Sequence, residues 1–165
     1  MKKEGIVNIE EMKKALYGKN PKEAYNILLE LEKISETNDF LYKYLNDFLE
    51  MLDNENTYIR IRGYRLYCKQ AKWDKLNKIN KMVDKILLQI VKEEKPIALR
   101  QKIKALEDII TNKTELRNKV KQKLLEIDCL KYQESMRGLI EKDIKNLLKI
   151  IDLFDNSINL YYFQS

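Results

Sequence analysis

Asn20-Pro21-Lys22-Glu23-Ala24-Tyr25-Asn26-Ile27-Leu28-Leu29-Glu30-Leu31 decides the fold class. An asparagine side chain accepts from the unpaired N–H groups that open a helix. Proline suits the first turn because its missing N–H would have no partner there, and an early glutamate complements the helix dipole. Ala24, Ile27, Leu28, Leu31 and Ile34 then recur at three- and four-residue spacing, which puts them on one face.

The same grammar repeats outward in both directions. Asn8 through Glu11 reads as a capping box opening a short helix with Ile9, Met12 and Leu16 on one side and Gly18 after its end. Beyond Ser35–Asn38 a stripe uses Phe40, Leu41, Tyr44, Leu45, Phe48 and Leu52. After Asp53–Asn56 come Ile59, Leu66 and Tyr67, and after Trp73-Asp74 come Leu76, Ile79, Val83, Ile86, Leu87 and Ile90. Pro96 opens a helix with Leu99, Ile103, Leu106 and Ile110. Asn112–Glu115 caps another with Leu116, Val120, Leu124 and Ile127, and Met136 to Phe154 marks a long last one. No segment alternates with period two, so the chain is read as all-α.

Composition agrees. The 165 residues are 44% hydrophobic and 35% charged, with only 4 glycines and 2 prolines, which excludes a turn-rich β fold and a low-complexity linker. Helix starts near Pro21, Thr57 and Pro96 are 36 and 39 residues apart. That spacing favours an α-α superhelix, a HEAT-like repeat solenoid of about seven helices with the last six in antiparallel pairs, over an ordinary helical bundle, which has no reason for regular pair spacing. The expected layout is a capping helix over 1–19, repeats over 20–155 and a tail over 156–165. The tail ending Tyr161-Tyr162-Phe163-Gln164-Ser165 looks like the remnant of a cleavable purification tag, whereas Ile158, where such a tag carries Glu, argues for a native end.

There is no histidine, which removes the commonest general base and metal ligand. The four glycines stand alone, so there is no phosphate-cradling loop. Cys68 and Cys129 form no paired motif, and the expectation is reduced thiols in a cytoplasmic protein with no metal, cofactor or disulfide. Met1 to Gly5 lacks the apolar run of a signal peptide, and no stretch suits a membrane. The chain is therefore read as non-catalytic.

Net charge is +6, concentrated between Asn56 and Lys123, where 19 basic residues face 7 acidic ones. One reading is a basic groove for a polyanionic partner, either nucleic acid or an acidic protein segment. Its candidate residues are Arg60, Arg62, Arg65, Lys69, Lys78, Lys81, Lys85, Arg100, Lys104 and Arg137. Arg62, Arg65 and Lys69 form one stripe while Arg60 diverges, and Lys75, Lys78, Lys81, Lys85 and Lys92 lie opposite the apolar face of their helix. The other reading is plain solvation of helices in a chain where Lys, Asn and Ile supply 59 residues, with the arginines laddering between repeats. Trp73, just before the candidate cap Asp74, is read as a structural aromatic closing a corner between helices.

Tyr58-Ile59-Arg60-Ile61-Arg62-Gly63 after a polar loop resembles a HEAT-repeat helix start. Ala71-Lys72-Trp73-Asp74, Lys95-Pro96-Ile97-Ala98-Leu99-Arg100-Gln101 and Ser135-Met136-Arg137-Gly138-Leu139-Ile140-Glu141-Lys142-Asp143 are similar to further landmarks of small HEAT-like, armadillo-type proteins, some of which carry a SufBD-like label. The resemblance covers roughly residues 20–150 and implies a binding or scaffold module. Alternatives are a HEAT-like DNA glycosylase, for which Trp73-Asp74 is the only cue, and a protein–protein adaptor that binds no polyanion.

Overall fold

The structure is a computed structural model that describes residues 8–163, with side chains through Ser157. Met1 to Gly5 and the end of the 156–165 tail, on which the leader and tag readings rest, lie outside the described residues. Among the described residues there are eight α-helices and no strand. They are α1 (Ile9–Leu16), α2 (Pro21–Thr37), α3 (Leu45–Met51), α4 (Thr57–Lys69), α5 (Lys78–Lys92), α6 (Pro96–Asn112), α7 (Arg117–Leu125) and α8 (Glu134–Phe163). The count is eight where seven were expected, although the sequence itself shows eight apolar stripes. Both α3 and α7 follow 3-10 turns, Phe40–Tyr44 and Thr114–Leu116, that take up part of each apolar stripe.

The caps explain most starts. Asn8, Asn20 and Asn56 each accept a backbone N–H from the first turn of α1, α2 and α4, and Pro21 and Pro96 open α2 and α6. Asn112 behaves otherwise. Its side-chain amide donates to the Asp108 carbonyl at 2.8 Å, so it ends α6 rather than starting α7. Leu76 is 65% exposed although it continues the apolar stripe of α5. The helix begins only at Lys78, after Asn77 turns into the left-handed region at φ 54°, and Leu76 is left in the turn.

The chain divides into two compact units that meet in sequence at Gln70 and Ala71. In the first, α4 is the core helix, with Ile59, Ile61, Arg62, Gly63, Tyr64, Leu66, Tyr67 and Cys68 all buried. The turn after α3 folds α4 back against it, while α2 runs parallel to α4. Glu32 meets Arg65, and one turn on Glu36 meets Lys69 and Ser35 meets Gln70. Tyr64 and Tyr67 are core residues, so their rings offer no stacking face to a ligand.

In the second unit the helices form two layers. Lys102 on α6 meets Gln89 and Glu93, while Lys113 reaches back to Asp74 and Asn77, so α5 and α6 are antiparallel. Lys121 meets Asp152 and Arg117 faces Asp155, making α7 and α8 antiparallel as well. Asn80 bonds Glu115 and Asp84 bonds Lys119, which sets α5 parallel to α7. Helix α6 packs in the same direction along α8, with Arg100 on Asp143. Cross-links between α2 and α4 and between α5 and α7 fall at separations of 33 to 35 residues, whereas Arg100–Asp143 between α6 and α8 spans 43.

Two glycines give opposite expectations. A Cβ on Gly63 would sit 2.4 Å from Met51 Cβ and 2.9 Å from the Phe48 carbonyl, so the α3–α4 approach requires glycine. Gly63→Ala should lower stability by about 1–3 kcal/mol in urea unfolding. Gly138, exposed on α8 with nothing within 4 Å of its would-be Cβ, has no such role. Gly138→Ala should raise stability by about 0.5–1 kcal/mol.

Candidate functional site

The ten candidate basic residues fall into three groups. Arginines whose guanidinium groups are bonded to carbonyl or carboxylate oxygens of the fold, with Lys69, form the first. Arg60 donates to the Asn54 and Glu55 carbonyls and to Thr57 Oγ1, bracing the turn before its own helix. Arg62, only 7% exposed, donates to the Leu16 carbonyl at 2.7 Å, where the C-terminal end of α1 presents its negative dipole. Arg65 grips both Glu32 oxygens at 2.7 and 2.8 Å, with Lys69 near Glu36. In the second unit Arg100 meets Asp143 at 2.6 Å, and Arg137 donates to the Leu130 and Tyr132 carbonyls. Arg117, outside the candidate set, behaves alike: it is buried, bonds the Ile110 carbonyl and lies 4.3 Å from the Phe154 ring centroid. All six arginines of the chain therefore hold loops or neighbouring helices.

Lys78, Lys81 and Lys85 form the second group, one stripe on α5 continued by Lys92 and turned away from buried Ile79, Val83, Ile86 and Ile90. Lys104 forms the third. It lines an open groove of about 550 Å³ between α6 and α8 with Ile103, Glu107, Asp143, Asn146, Leu147, Lys149 and Ile150. Ile103 and Leu147 make an apolar floor, and Asp143 is held by Arg100. Lys104 and Lys149 are exposed and make no ion pair or hydrogen bond with another described residue. Sequence reasoning named Lys104 only as one candidate for a basic groove, and did not name Lys149 or Asn146, which α8 brings in from some 45 residues downstream.

Two other lysines are buried, and nothing in the sequence reading singled them out. Lys102 and Glu93 meet at 2.7 Å, and Glu93 also accepts the Lys95 N–H while its carbonyl accepts the Tyr132 hydroxyl. Burial, then the Glu93 carboxylate, pushes the Tyr132 phenol up to about 12. Lys113 meets the carboxylate, carbonyl and side-chain oxygens of Asp74 and Asn77, and the same Asp74 carboxylate caps α5 through the Lys78 and Ile79 N–H groups. The signal available was a lysine set among Ala98, Leu99, Ile103, Ala105 and Leu106, on the wrong face for solvation. Trp73 is half-buried at the end of the 3-10 turn Gln70–Trp73, with the Lys72 ammonium 5.2 Å from its ring.

Cys68 is buried and Cys129 half-buried, with burial pushing the Cys129 thiol up. Among the described residues no three His, Cys, Asp or Glu side chains are grouped to hold a metal, and no helix is long and apolar enough to cross a membrane. Comparison with family models, curated proteins and solved structures finds no match to this chain.

Lys102→Met leaves the Glu93 carboxylate buried without its counter-charge and should cost about 3–5 kcal/mol in chemical unfolding, whereas adding Glu93→Gln should restore much of that loss. Tyr132 gives a pH signature. Its folded phenol releases its proton near 12 and an ordinary one near 10, so its contribution is complete below pH 10 and fades as pH rises to 12. Tyr132→Phe should flatten that part of the alkaline stability curve.

Proposed function

We propose that this chain is a non-catalytic helical-repeat binding module of the HEAT-like kind, resident in the cytoplasm, which takes an acidic or polyanionic partner on the groove between α6 and α8. The repeat reading is supported by the packing order within each unit. Helices α5 and α6, and α7 and α8, are antiparallel. Helices α2 and α4, and α5 and α7, run parallel with cross-links 33 to 35 residues apart, and α6 meets α8 through Arg100–Asp143 at 43. Stacked helix pairs produce this pattern because each pair buries its exposed apolar face only against the next.

The groove itself carries the binding reading: Lys104 and Lys149 flank an apolar floor, and neither makes an ion pair with another described residue. The wider field agrees. Residues 71–165 contain 20 basic and 14 acidic residues, whereas residues 1–70 contain 12 of each, so the whole net charge belongs to the second unit. The arginines are assigned to the stack rather than to the ligand, because moving a guanidinium off a carbonyl or carboxylate strands that partner.

Heparin chromatography tests this. Wild-type protein should be retained and elute as salt screens the contact. Lys104→Glu/Lys149→Glu should elute at clearly lower salt with an unchanged melting temperature, since both side chains are exposed. Lys81→Glu/Lys92→Glu on the α5 stripe should elute close to wild type. A groove variant that elutes with wild type would contradict the assignment.

A further inference from the structure

Resting on that reading, we infer that the partner segment seated between α6 and α8 is an acidic amphipathic helix, rather than nucleic acid or an extended acidic tail. The apolar part of the site decides this. Beside the floor of Ile103 and Leu147, half-buried Ile150 continues into exposed Leu139 and Leu153, which are 40% and 60% exposed. Leu139, Asn146, Ile150 and Leu153 fall on one side of α8 at helical spacing and cover about 20 Å of its axis. That is the length of roughly four helical turns. A sugar–phosphate chain has no group that gains from such a ledge, whereas leucine-like side chains on a helix do.

Backbone chemistry points the same way. An extended peptide laid on this ledge would bury N–H and C=O groups, and the groove offers no strand edge to pair them; Asn146 is the only uncharged polar side chain lining it. A helix satisfies its own backbone and presents only side chains, and the seat between two packed helices is the one a third helix fills. The rims supply the charge. Lys104 borders the groove from α6 and Lys149 from α8, and Lys142, outside the groove lining, lies two turns earlier on the same face of α8. None of the three has an ion pair or hydrogen bond with another described residue, so each is available to a carboxylate beside the partner's apolar stripe. Glu107 is the one lining acid that no basic side chain occupies, and it opposes an acidic partner locally.

The test uses the full chain and fluorescence anisotropy with a designed peptide of about 20 residues, carrying leucines at i, i+3, i+4 and i+7 flanked by glutamates. A scrambled peptide of the same composition and a single-stranded oligonucleotide are the comparisons. The helical peptide should bind at least about tenfold more tightly than either and gain helix on binding. Leu153→Asn and Lys104→Glu/Lys149→Glu should each weaken it about tenfold, and Glu107→Gln should tighten it several-fold. Equal binding of the scrambled peptide or the oligonucleotide, or no effect of Leu153→Asn, would overturn the helix and leave the polyanion reading standing. So would failure of the helical peptide to bind while the protein still holds heparin. Loss of both peptide and heparin binding in the wild-type protein would overturn both.

Discussion

Asp74 has no side-chain exposure, and its carboxylate must be satisfied entirely from within. It caps α5 with both oxygens and receives the Lys113 ammonium from the far end of α6, while at the other end of α5 the equally buried Glu93 receives Lys102. Burying a charge is expensive without a partner, and such pairs add little net stability but penalise every arrangement that separates them. These two pairs therefore fix α6 against α5 at both ends. With α5 held, Asn80 and Asp84 are presented to Glu115 and Lys119, and α7 is set; α8 follows through Arg100 and Asp143.

The uneven charge along the chain takes on a different meaning in this light. Much of the basic middle is matched by acids that lie outside it: Glu32 and Glu36 upstream serve Arg65 and Lys69, and Asp143, Asp152 and Asp155 downstream serve Arg100, Lys121 and Arg117. Charge segregated in sequence becomes charge paired between stacked helices. What is left without an ion pair among the described residues is a smaller set of exposed lysines, Lys104, Lys142 and Lys149 among them. The division suits the two chemistries, since a planar guanidinium makes the fixed, multidentate contacts that hold a carbonyl or carboxylate, and a flexible ammonium serves a mobile rim.

Helix existence was legible in Asn20-Pro21, Asn56 and Pro96, because capping is a local event decided within four residues. The apolar stripes were legible for the same reason, and the one failure, Leu76, came from a left-handed turn at Asn77 that no stripe reveals. The helix starts at Pro21, Thr57 and Pro96, 36 and 39 residues apart, were legible; the cross-links between α2 and α4 and between α5 and α7, at 33 to 35 residues, and between α6 and α8, at 43, were not. Tertiary placement was not legible. Arg62 looks like its neighbours in sequence, but the C-terminal end of α1 happens to meet it. Lys102 was marked by its place on the apolar face of α6, but nothing in the sequence shows that Lys104, two residues later, borders a groove. Lys149 and Asn146 enter the site only because α8 lies along α6.

The order of the helices is the claim on which the rest stands, and zero-length carbodiimide cross-linking read by mass spectrometry tests it most directly. It joins only amines and carboxylates already in contact. The stacking predicts Lys69 joined to Glu36 and Lys119 to Asp84, the parallel contacts, together with Lys121 to Asp152 for the antiparallel pair. Lys119 joined to Asp152 and Lys121 to Asp84 would exchange the faces of α7 and contradict the account.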